Sequence, residues 1–168
     1  RMIQMKKFIL LFIFGSCLFG CTLNSNESIN HKQLLLDIQS TMPLEIYNEL
    51  QKNGYFSQID NTLSIANDEH NPTLRLDFTY KNNILVNYVA KEYGFIDNMK
   101  NQTINEEEAM TLAKQFAKIF LQKNILLEKT DNLNDYIGKK YITFKDNENN
   151  IYLVQLNKNM IIKYINNS

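Results

Sequence analysis

The sequence predicts an α+β fold in which a helix packs on an antiparallel sheet, with the order α-β-β-β occurring twice. Three observations predict it. Two segments, Lys32 to Asn53 and Ile104 to Asn124, carry apolar residues near helical spacing. Each is followed by short runs that alternate in polarity or are rich in apolar and aromatic residues. The runs are separated by Asn-rich stretches of the kind that form turns.

In the first half, Leu35, Ile38, Leu44, Tyr47 and Leu50 define the helical pattern, and Gly54 stands where a terminating residue belongs. Pro43 lacks an amide hydrogen and its ring crowds the preceding turn, so two helices or a sharp kink are expected there. Strands follow at Leu63 to Ala66, Thr73 to Lys81 (TLRLDFTYK) and Ile84 to Tyr93 (ILVNYVAKEY). Asn82-Asn83 fits a two-residue hairpin turn, because Asn tolerates the left-handed backbone such turns require.

The second half repeats the order. Asn105 is placed to cap the helix, Glu108 completes a capping box, and the acidic run Glu106-Glu107-Glu108 is stabilised by the helix N-terminus. Ala109, Leu112, Ala113, Phe116 and Phe120 then form one apolar stripe. After a polar stretch through Gly138 come strands at Lys140 to Lys145, Ile151 to Asn157 and Met160 to Ile165.

Ahead of the first helix lie a leader and a tether. Met5-Lys6-Lys7 opens a basic region and Phe8 to Phe19 is mostly apolar but too short for a membrane-spanning helix, which needs about 20 residues. Leu18-Phe19-Gly20-Cys21 resembles the lipobox of bacterial lipoproteins. That resemblance implies a diacylglycerol on the Cys21 thiol, cleavage before Cys21 and attachment to the extracytoplasmic side of the cell membrane. Cys17 would leave a shorter apolar region, so Cys21 is the better acceptor. The polar stretch Thr22 to Asn30 reads as a spacer. Residues 1–20 are then a signal peptide, 21–31 a lipidated flexible tether, 32–100 an N-terminal αβββ module and 101–168 a C-terminal one.

Asn105-Glu106-Glu107-Glu108-Ala109, Leu112-Ala113-Lys114 and YITFKDNENNIYLVQLNKNMIIKYI together resemble a PepSY-type module, a small α+β unit related in outline to cystatins. Asn157-Lys158-Asn159 occupies its last turn, where such modules commonly carry a glycine. The resemblance implies a protein-contact role and no catalytic residues to transfer.

Composition excludes several chemistries. Loss of the leader removes Arg1, Lys6 and Lys7, leaving 15 basic against 18 acidic residues, which argues against nucleic acid and against a basic footprint on anionic lipid. With Cys17 removed and Cys21 alkylated, no disulfide, thiolate nucleophile or cysteine metal cluster remains. His31 ends the tether and His70 sits in the turn-forming NDEHNP; Asp68-Glu69-His70 are adjacent on that turn and do not by themselves supply a tetrahedral metal set. The serines and threonines lack an oriented base, and there is no GxSxG elbow. No catalytic residue, metal or cofactor is expected.

A register argument selects a contact surface. If Asn82-Asn83 is a two-residue turn, Lys81 opposes Ile84, Thr79 opposes Val86, Asp77 opposes Tyr88 and Arg75 opposes Ala90. Leu74, Leu76, Phe78, Tyr80, Leu85 and Val89 then face a helix, while Asp77, Ile84, Val86 and Tyr88 form a mixed face that something should cover, either the second module or a partner. The expected function is a membrane-anchored, non-catalytic protein or peptide contact that restrains an envelope protein or peptidase. The alternative is a sensory or small-molecule-binding lipoprotein with a pocket between the modules.

Overall fold

The computed structural model describes residues 30–92, 94–136 and 138–167. Their order is α1 (His31–Thr41), α2 (Leu44–Asn53), β1 (Tyr55–Ile59), β2 (Thr62–Ala66), β3 (Leu74–Lys81), β4 (Ile84–Glu92), α3 (Phe95–Asn98), α4 (Glu106–Phe116), β5 (Leu127–Tyr136), β6 (Lys139–Asp146), β7 (Ile151–Gln155) and β8 (Met160–Ile165). The fold is α+β, with one difference in count: each half has four strands, not three. The added strands, β1 and β5, lie at the two edges of the sheet. Their sequences are short or polar because an edge buries little side-chain surface.

Local chemistry sets the element ends. Asn30 Oδ1 accepts from the Lys32 and Gln33 amides at 3.0 and 3.4 Å and starts α1. Pro43 separates the two helices as the residue before α2, with φ −53°. The amphipathic face differs from the expected one: Leu34, Ile38, Ile46 and Leu50 are buried and Leu44 is exposed. Gly54 has φ −64°, so a left-handed cap is not its reason for being glycine; a Cβ there would run into the Leu50 carbonyl oxygen.

At α4 the capping box is formed: Asn105 Oδ1 accepts from the Glu108 amide at 2.9 Å and Glu108 Oε2 accepts from the Asn105 amide at 2.8 Å. The helix then widens into one π-helical stretch, Ala117–Leu121, and ends at Gln122 with φ 54°.

The eight strands form one antiparallel sheet in the order β1-β2-β3-β4-β8-β7-β6-β5. Each half is a four-strand meander, and the halves join where their last strands, β4 and β8, pair through Asn87–Ile165, Tyr88–Tyr164 and Val89–Lys163. Asn82 and Asn83 both have positive φ, 52° and 62°, as a type I′ turn demands. Asn159 has φ 50°, so it supplies the left-handed conformation that a glycine would otherwise provide in the last turn.

The helices cover one face of the sheet. Phe78, Tyr88, Tyr164, Tyr152 and Phe144 stand side by side on β3, β4, β8, β7 and β6. Phe116 of α4 lies over this row, with ring centroids 5.3 Å from Tyr88 and 5.9 Å from Tyr164, and Phe120 lies 5.3 Å from Phe78. One apolar core runs through both halves, from Leu34 and Ile38 to Val154 and Tyr164. The linker between the halves is tied down by Lys158, whose buried ammonium donates to the Asp97 and Met99 carbonyls at 3.1 and 2.5 Å.

Candidate functional site

The β3–β4 register departs from the expected one and moves a candidate site residue. Lys81 does oppose Ile84 and Tyr80 opposes Leu85, but a bulge then gives Thr79–Asn87, Phe78–Tyr88, Asp77–Val89, Leu76–Ala90 and Arg75–Lys91. Val86 is the extra residue, and its carbonyl accepts the Asn166 amide at 2.9 Å. One inserted residue exchanges the faces of everything beyond it. Tyr88 therefore belongs to the helix-covered face: it is fully buried, and its hydroxyl donates to the Ile161 carbonyl at 3.2 Å. Burial pushes its phenol well above the ordinary range.

Val89 makes the opposite move. It joins Asp77 on the face away from the helices, where the cross-sheet neighbours run Ser57, Ser64, Asp77, Val89, Lys163, Leu153, Thr143. A second line runs Thr79, Asn87, Ile165, Ile151, Lys145, Glu128. The face is thus a band of Val89, Leu153, Ile151 and Ile165 set among cations. Of the remaining expected residues, Ile84 is exposed beside the Asn82-Asn83 turn and Val86 is half-buried in the bulge.

Asp77 is the electrostatic centre of this face. Its Oδ1 accepts from Ser64 Oγ at 2.6 Å and pairs with Arg75 Nε at 2.7 Å, and its Oδ2 pairs with Lys91 Nζ at 2.7 Å. Burial pushes the carboxyl up, but the hydrogen bonds from Lys91, Ser64 and Arg75 outweigh it and hold the carboxyl below its ordinary value. Lys163 and Lys145 have no carboxylate within ion-pair distance among the described residues, so the named charges of this face, Arg75, Lys91, Lys163 and Lys145 against Asp77 and Glu128, leave it net positive.

The other singled-out residues have local roles. His31 stacks on Phe56 with ring centroids 4.0 Å apart. Asp68 Oδ1 accepts from the amides of His70 and Asn71, both at 2.8 Å, and so closes its own turn. Glu106 pairs with Lys129 at 2.7 Å. Among the described residues no three His, Cys, Asp or Glu side chains converge on a metal position. Cys21 lies outside the described residues.

A cavity of about 480 Å³ opens between the two halves, lined by Thr41, Met42 and Pro43 from the α1–α2 junction and by Ile104, Leu112 and Asn159 from the second half. Gln115 closes part of its wall by donating to the Ser40 carbonyl.

Sequence reasoning missed Val89, Lys91, Leu153 and Lys163 as members of the open face, although one signal was present. In an unbroken register Asn87 and Lys91 would have shared the helix-facing side with Leu85, an arrangement that puts an amide and an ammonium into the core. Comparisons with protein-family models, with curated proteins and with solved structures find no match.

Proposed function

We propose that this chain is a lipid-anchored extracytoplasmic protein, attached through Cys21, that works without catalysis as a PepSY-like, cystatin-like contact module for an envelope protein or peptide. The observation that carries this reading is the one-sided sheet: helices cover the aromatic row, while the opposite face presents Val89, Leu153, Ile151 and Ile165 among Arg75, Lys91, Lys163 and Lys145 with no described element over it. An apolar band bordered by cations suits a partner surface that is itself apolar and acidic.

Val89 and Ile151 lie on the open face and neither is among the side chains packed against the buried core, so Val89→Glu together with Ile151→Glu tests the surface. The expected result, in cross-linking on native membranes, is loss of the partner adduct by a variant whose thermal unfolding is unchanged. Unchanged cross-linking by the folded variant removes the open face from the proposal. Cys21→Ser is expected to lose the lipid and to keep its leader uncleaved; recovery of an unmodified Cys21 thiol from the parent chain in native membranes defeats the lipid anchor. The alternative reading, a small-molecule or sensory lipoprotein, is supported by the cavity between the halves, and stabilisation by small ligands that Leu112→Trp abolishes would favour it.

A further inference from the structure

We propose that β1 is a self-pairing edge, through which two copies of this chain join their sheets about a two-fold axis at Ser57. The inference stands apart from the open-face reading, because it concerns the edge of the sheet.

The two edges of the sheet are built differently. β5 carries Glu128, Lys129, Asp131 and Asp135 in its sequence, and its pairing with β6 breaks between Thr130 and Asn134. Charges and a register break are what keep an edge from accepting another strand. β1 (YFSQI) has neither: no charge, no proline and an unbroken five-residue register with β2. Among the described residues its backbone makes no hydrogen bond outside that ladder.

An edge that meets its own copy must be self-complementary. Antiparallel pairing about Ser57 sets Tyr55 against the second copy's Ile59, Phe56 against Gln58, and Ser57 against Ser57. Tyr55 and Ile59 are 42% and 67% exposed, and their pairing to Ala66 and Thr62 places both on the open face, where each would cover the other. A charged residue on such a strand would be brought near its own copy across the axis; β1 has none. The His31 ring stacked on Phe56 fills the helix-facing side of the edge, and no described residue pairs with its backbone side.

The test uses the full chain in its membrane, with a single cysteine introduced at one of three positions and the unaltered chain run in parallel to report any cross-link through Cys17 or Cys21. In Ser57→Cys the two thiols lie on directly opposed residues, with Cα atoms about 4.5–5.5 Å apart, inside the range a disulfide spans. In Gln58→Cys they are diagonal, at about 7–8 Å, and Thr130→Cys sits on the other edge. Mild oxidation is expected to give a species of twice the chain mass from Ser57→Cys, in yield roughly tenfold above the other two positions. Ile59→Glu in the Ser57→Cys background should abolish it, and adding Tyr55→Lys should restore it, since each new carboxylate then opposes a new ammonium. Equal yields at all three positions, no dimer from Ser57→Cys, or an adduct of another mass would each overturn the proposal.

Discussion

Asp77 shows how one side chain ties three strands together without adding to the apolar core. Ser64 on β2, Arg75 on β3 and Lys91 on β4 all reach the same carboxylate, so ionised Asp77 is matched by donors on three neighbouring strands. Because its folded carboxyl lies below the ordinary value of 3.8, the stabilisation is present above that pH and is lost as pH falls through the lower, folded value. Asp77→Asn should therefore be less stable than the parent at pH 7, and the gap should close in strong acid. Urea unfolding of both chains at the two pH values measures it; a gap independent of pH would mean that the ion pairs contribute nothing. Tyr164 works differently: burial, aided by the nearby Asp146 and Glu148, raises its phenol to about 12, so it is neutral at pH 7.

Among the elements, α4 is the one whose inner face was most legible. Its cap is local chemistry between Asn105 and Glu108, and its stripe places Ala109, Ala113 and Phe116 fully inside. The small alanines let the helix approach the sheet while Phe116 fills the space between Tyr88 and Tyr164. Phe116→Ala should cost about 3–5 kcal/mol, because the Tyr88 and Tyr164 rings beside it belong to paired strands that cannot move in to fill the gap. Denaturant unfolding would measure this, and a loss under about 1 kcal/mol would mean that the site collapses freely or that the helix is shallower than described. The edge strands β1 and β5 were not legible. YFSQI and LEKTDNLNDY carry little apolar pattern, and only the neighbouring strand supplies the partners that hold them extended.

At the scale of the whole molecule, the two halves behave as one body. The β4–β8 pairing makes their sheets continuous, and Phe116 from the second half packs on Tyr88 from the first. Unfolding should accordingly be a single transition, with far-ultraviolet circular dichroism and tyrosine fluorescence tracing the same curve; two separated steps would show that each half folds alone. The sequence by itself determined the local features: the break at Pro43, the capping box, the Asn82-Asn83 turn, most strand positions and the apolar stripe of α4. Each of these depends on residues within a few positions of one another. Only the tertiary structure decided the union of the halves, the bulge at Val86 and, with it, which of Tyr88 and Val89 faces the helices. A bulge leaves the order of residues untouched and changes only their pairing, so what selects it is the free energy of filling one shared core. That core takes the Tyr88 ring and leaves Val89, Lys91 and Asp77 on the open face.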